Sequence, residues 1–199
     1  TNVKSPWQRV FEKKGIWDSK GKHLLEKYLN FEYDYETFCK KDVEAWSKSG
    51  VDREFIEYSL DSIPLNRNTV NVLKQLSKKK IKCIIISTGF YYTAKKIAFE
   101  AGLEYDEGLN NLSSDTLSVF ANDVYVNENS LCLRIDVSGD NGEKNSKGSI
   151  LKKCLNKLKL SPIRCLSIGD SAISDKELFD LTGDYVFVDS EDDLLNIFK

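Results

Sequence analysis

The sequence predicts an α/β protein, a Rossmann-like parallel sheet carrying a helical cap. The first 64 residues hold many aromatics and helix-spaced apolar positions but no good strand pattern. From Pro64 onward, short apolar runs alternate with amphipathic helical segments, as parallel strands joined by crossover helices require. The run "IKCIIIS", Ile81 to Ser87, carries consecutive β-branched residues rather than an alternating pattern, as a strand covered on both faces does. No repeat or low-complexity linker interrupts the chain. Residues 1–64 are therefore read as the cap and residues 65–199 as the α/β core.

Each element has a local reason. Trp7, Phe11 and Trp17 suggest a first helix or turn. Asp34 can cap a helix on which Tyr35, Phe38, Cys39, Val43 and Trp46 share one face. That aromatic stripe is read as the core of a small bundle rather than as a ligand pocket. Val51 to Leu60 forms a fourth short helix. After Pro64 a helix presents Val70, Leu73 and Leu76, and the Ile81–Ser87 strand follows. The next helix turns Ala94, Ile97, Ala98 and Ala101 inward and stops at Gly102. Residues 119–136 read as a hairpin about Asn129-Ser130, and the segment from Asp106 to Ser118 receives no role. "SILKKCLNKLKL" places Ile150, Leu151, Cys154, Leu155 and Leu158 on one stripe. A strand at 163–168, a helix at 174–181, a strand at 185–188 and a terminal helix from about 191 complete the order.

Composition excludes several classes. With 199 residues and a net charge of −2, no strong field favours nucleic acid or an anionic membrane. The lysine run at Lys78–Lys80 reads as a solvated helix end, and no apolar run approaches the ~20 residues of a membrane helix. No signal peptide is visible. The five cysteines form no C-x-x-C pair, which is the usage of a reduced, cytoplasmic protein rather than of a disulfide frame or zinc site. The one histidine, His23, sits in a charged helical stretch and reads as solvated.

Chemistry concentrates at strand ends, where open α/β sheets bind ligands. Ser87, Thr88 and Gly89 close the first strand and open a helix, so their hydroxyls and amides suit a phosphate, although such a triplet is also an ordinary helix cap. Asp170 and Asp175 follow the strand "CLSIG". Paired carboxylates there suit a hard cation such as Mg²⁺, or serve as plain helix-start caps. Lys147 precedes the amphipathic helix and can reach the same edge to neutralise a phosphate or brace a carboxylate. Ser171 in "GDS" invites an esterase reading, but that chemistry needs a histidine base and His23 lies in the helical region.

In this order and context, "IIISTGFYYTAKKIAFEAGLEY", "SKGSILKKCL" and "LSIGDSAISDKELF" resemble the second, third and fourth motifs of the haloacid dehalogenase superfamily, in its phosphoserine-phosphatase-like branch. "SPWQRVF" and "YETFCKKDVEAW" resemble that branch's helical cap. The resemblance implies hydrolysis of a small phosphorylated metabolite through an aspartyl-phosphate. It implies a phosphate held by Ser87 with the amides of Thr88 and Gly89, and charge neutralised by Lys147. It also implies Mg²⁺ on Asp170, with Asp175 supporting the metal's water shell or the lysine.

Three features depart from the family pattern. The D-x-D-x-T strand, source of the nucleophile and the general acid/base, is absent, and no D-x-D occurs anywhere. The expectation is that the chain starts just after that central strand, leaving its neighbours with bare edges and these 199 residues inactive and marginally folded. Asp170 and Asp175 are separated by four residues where close relatives often have three, and the 106–118 segment is longer than in relatives. The alternative reading is a degenerate, non-catalytic member that binds a phosphorylated ligand or a partner.

Overall fold

The computed structural model describes residues 5–188. The N-terminal part is helical: α1 (Pro6–Lys14), a π-helical turn (Trp17–Gly21), α2 (Lys22–Leu29), α3 (Tyr35–Lys48) and α4 (Arg53–Asp61). Pro6 opens α1 at a position where a missing N–H costs nothing. Asp34 caps α3 by accepting the Thr37 amide at 2.7 Å, and Asp52 caps α4 in the same way through Phe55. The aromatic stripe is core. Trp46 stacks on Trp7 at 5.4 Å between ring centroids and meets Phe11 at 5.5 Å, and Trp46 and Phe11 are buried. This cluster extends into the sheet through Phe90 and Val124.

The α/β part follows with α5 (Arg67–Lys78), β1 (Ile84–Phe90), α6 (Tyr91–Ala101), β2 (Glu104–Glu107), β3 (Thr116–Asn127), β4 (Ser130–Arg134), α7 (Lys147–Leu158), β5 (Leu166–Gly169), α8 (Lys176–Leu181) and β6 (Asp184–Phe187). Strands β1 and β2 flank β3, both parallel to it. The far half of β3 turns back antiparallel on β4 through Glu128 and Asn129, both left-handed. The hairpin is thus centred one residue earlier than the sequence suggests. The 106–118 segment, left without a role, supplies the last two residues of β2 and the first three of the central strand. Its turn is built on Asp106, which accepts the amides of Asn110 and Asn111. The strand expected at 163–168 begins only at Leu166, because Pro162–Arg164 forms a 3₁₀ turn. The helix expected from about residue 191 lies outside the described residues.

Strands β5 and β6 pair with each other in parallel and form a separate two-stranded sheet. Among the described residues no ladder joins β1 to β5. The strand read at Ile81–Ser87 runs instead from Ile84 to Phe90. Helices do cover both faces of β1: Ile85 packs with α6, while Ile84 and Ile86 pack with Ile150 and Cys154 of α7. Yet Ile84, Ile85 and Ile86 stay half-buried, because among the described residues a strand lines only one edge of β1. On β5, Leu166 and Ile168 are 44% and 37% exposed for the same reason. All five cysteines are free thiols, and His23 is exposed. No helix among the described residues is long and apolar enough to cross a membrane.

Candidate active site

Two groups of polar side chains stand where the strands end. The first is built on α7 and the loop after β5. Ser146 caps α7 by accepting the Ser149 amide, which makes Lys147 the first helical residue. A cation there opposes the helix dipole, so the placement needs compensation. Asp175 supplies it. Its Oδ1 receives the Lys147 ammonium at 2.5 Å, with the two side chains only 11% and 7% exposed. Its Oδ2 accepts the amides of Asp170 and Ser171, at 3.1 and 3.2 Å, and so shapes the loop that presents Asp170. Gly169 is required by this approach: a Cβ there would lie 2.4 Å from Asp175 Oδ2.

Glu177, which the sequence reading did not single out, supports the same helix start. Its carboxylate accepts the Gly142 amide at 2.7 Å and the Gly148 amide at 3.0 Å. Partial burial raises this carboxyl, but hydrogen bonds from Ser146, Gly142 and Gly148 outweigh that effect and hold it below the ordinary carboxylate range. Gly148 lets the carboxylate in, since a Cβ would fall 2.8 Å from Glu177 Cβ. The sequence signal was present in "SDKELF", where a second acid follows Asp175 by two residues, but its partners are backbone amides with no sequence signature.

The second group is the Ser87-Thr88-Gly89 turn at the end of β1. The Gly89 amide donates to Ser87 Oγ at 3.0 Å, so in this conformation it is engaged within the turn rather than turned outward as an anion donor. The Thr88 carbonyl receives Trp7 Nε1 at 2.9 Å, Tyr35 Oη at 3.1 Å and Asn122 Nδ2 at 3.2 Å. Asn122 is fully buried, and its Oδ1 accepts the amides of Asp136 and Val137. Burial drives the Tyr35 phenol well above its ordinary range, so it stays a neutral donor.

Lys147, Asp175 and Asp170 are thus brought together, while Ser87, Thr88 and Gly89 sit on the other sheet. Among the described residues no hydrogen bond joins the two groups. Their link is α7, whose Ile150 and Cys154 pack on β1 while its Lys147 reaches Asp175. Ser171 is no esterase nucleophile here: its Oγ accepts the Ser174 amide, and the exposed His23 belongs to α2.

A metal would find limited protein donors. Asp170 is exposed, and no hydrogen bond or ion pair engages its carboxylate among the described residues. No group of three His, Cys, Asp or Glu side chains converges there among them. Both oxygens of Asp175 are already committed. One free carboxylate fits Mg²⁺ only in the mode where the ion keeps most of its waters and shares a phosphate.

The sequence model of the haloacid dehalogenase-like hydrolases matches residues 10–177, and the chain belongs to that family. Among solved structures, phosphoserine phosphatase in its apo form superimposes with a TM-score of 0.68 at 19% identity, covering 98% of this chain and 92% of that one. At that identity the likeness shows the fold, an α/β Rossmann-like core with a helical N-terminal part. No curated protein sequence matches the chain.

Proposed function

We propose that this protein handles a small phosphomonoester, with residues 1–64 as the cap and residues 65–199 as the phosphate-binding core. The Lys147–Asp175 pair beside the free Asp170 carries this reading. A nearly buried ammonium held 2.5 Å from a carboxylate is poised to face phosphoryl oxygens, with an unpaired carboxylate next to it. Ser87 would donate its hydroxyl to a phosphoryl oxygen. Asp170 would hold Mg²⁺, which when bound neutralises phosphate charge as it develops. Asp175 would orient Lys147 and shape the Asp170 loop, the two tasks its three hydrogen bonds already perform. The five free thiols support a reducing, cytoplasmic setting.

The aspartyl-phosphate route needs a nucleophilic carboxylate, and the sequence contains no D-x-D. Among the described residues one edge of β1 and one edge of β5 carry no ladder, which supports a nucleophile supplied on a further strand between them. The polypeptide alone would then bind phosphate without hydrolysing esters. Calorimetric titration with inorganic phosphate, with and without Mg²⁺, tests the site; turnover of p-nitrophenyl phosphate tests the nucleophile. Mg²⁺-strengthened binding with no turnover is expected. Turnover would overturn the external nucleophile, and absence of phosphate binding would overturn the reading itself.

A further inference from the structure

The turn at the end of β1 is held from the cap side. Three donors converge on one oxygen, the Thr88 carbonyl: the Trp7 indole, the Tyr35 phenol and the Asn122 amide. A carbonyl oxygen has two lone pairs, so this one is fully saturated. Two of the donors come from the helical part, Trp7 on α1 and Tyr35 on α3. Asn122 links them, because its Nδ2, whose two protons are shared among three acceptors, also lies 3.0 Å from Tyr35 Oη and 3.1 Å from the Val137 carbonyl. Its orientation is fixed by the two amides that its Oδ1 accepts. Tyr35 is tethered again at its own amide, which donates to Asp140 Oδ2 at 2.7 Å.

The consequence passes through one peptide plane. In a trans peptide the C=O and the following N–H point in opposite directions. Holding the Thr88 oxygen towards α1 and α3 therefore turns the Gly89 N–H away from them, to where Ser87 Oγ accepts it at 3.0 Å. A hydroxyl has one proton to give and two lone pairs. With one lone pair occupied by Gly89, the Ser87 proton is free to point outward. A peptide turned the other way would place the Thr88 carbonyl near Ser87 and draw that proton inward.

We propose that Tyr35, together with Trp7 and Asn122, is a positioning residue that fixes the Thr88–Gly89 peptide so that Ser87 presents a hydroxyl proton to a phosphoryl oxygen. The proposal rests on the reading of Ser87 as a phosphate donor. It makes the cap a part of the phosphate site without touching the ligand.

The test combines two readouts on the full 199-residue chain. The first is the affinity for inorganic phosphate, in the presence of Mg²⁺, of the parent, Tyr35→Phe, Ser87→Ala and the double variant. Tyr35→Phe should weaken binding about fivefold, the worth of one ordinary hydrogen bond. It should have no further effect in the Ser87→Ala background, because its action runs through that hydroxyl. Equal weakening in both backgrounds, or none in either, would overturn the proposal. The second readout is hydrogen exchange at the Gly89 amide, measured by NMR, which should accelerate in Tyr35→Phe while amides of α7 do not change. Unchanged Gly89 exchange would overturn the positioning role even if the parent binds no phosphate, a result that would sink the phosphate reading separately. Should Tyr35→Phe fail to fold, Trp7→Phe removes a second donor to the same carbonyl and is judged by the same two readouts.

Discussion

Replacing Lys147 by methionine keeps most of the apolar stem and removes the ammonium with its hydrogen bond to Asp175. The pair it breaks is short and nearly dry, 2.5 Å between atoms with side chains 11% and 7% exposed. Removing one partner of such a pair typically costs 3–5 kcal/mol, because the other charge stays buried. Asp175 keeps two amide donors at 3.1 and 3.2 Å, which places the cost at the low end, about 3 kcal/mol. For a chain of this size that is a fall in Tm of roughly 6–12 °C. Removing both charges should cost less than removing Asp175 alone, so Lys147→Met with Asp175→Leu is expected to be more stable than Asp175→Leu. Urea unfolding of the four proteins gives the coupling energy directly. A pair this buried should also resist screening, with little change as salt rises from about 0.1 M to about 1 M. A loss below about 1 kcal/mol, or strong salt dependence, would place the pair among ordinary surface bridges and refute the reasoning.

Three further outcomes are expected. Gly169→Ala forces a methyl to within 2.4 Å of Asp175 Oδ2, so it should destabilise by about 2 kcal/mol in urea unfolding; a neutral result would mean that the loop has room to move. Asp42 is buried on α3 with Oδ1 unpartnered among the described residues, and burial pushes its carboxyl well above the ordinary range. The folded state therefore holds that proton more tightly than the unfolded chain. Its contribution is fully present at acid pH and is lost as pH rises from the unfolded value through the raised folded one. Asp42→Asn, neutral throughout, should flatten that slope and gain stability near pH 7; parallel pH–stability curves for the two proteins would contradict this. Phe31 is 95% exposed yet sits at φ +61°, so Phe31→Gly should gain about 1 kcal/mol by relieving the left-handed strain, visible as a raised Tm.

Local patterns in the sequence foretold most elements. The face of α3 from Tyr35 to Trp46, the stop of α6 at Gly102 and the stripe of α7 all depend on side-chain spacing and caps within one element. What it hid depends on pairing between distant segments. Residues 104–107 and 116–119 do not look like core strands, since Glu104, Asp106 and Ser118 break the apolar pattern; β3 is buried there because β1 and β2 flank it. The site divides in the same way. Asp170, Asp175, Lys147 and Ser87 were legible as residue types at strand and helix ends. Glu177, Tyr35 and Asn122 were not, because each acts on backbone groups far away in the chain. Tyr35 in particular reads from sequence as one more core aromatic, which it is, and only its hydroxyl shows a second task.

The two halves of the site lie on separate sheets, so among the described residues no backbone ladder sets the spacing of Ser87 from Lys147 and Asp170. Side-chain packing then contributes to it, and α7 touches both halves. Ile150 lies one turn from Lys147 and packs with Cys154 against Ile84 and Ile86 of β1. Trimming it to valine removes one methylene beneath the helix and lets α7 settle towards the strand. Such a change costs about 1 kcal/mol in stability. The same trim at Ile56, buried in the helical cluster and away from α7, costs about as much. Stability alone cannot separate the two variants, whereas phosphate affinity should. If α7 sets the spacing, Ile150→Val weakens phosphate binding several-fold while Ile56→Val leaves it at the parent value. Equal affinities in the two variants would mean that the halves are held in register by something other than this helix.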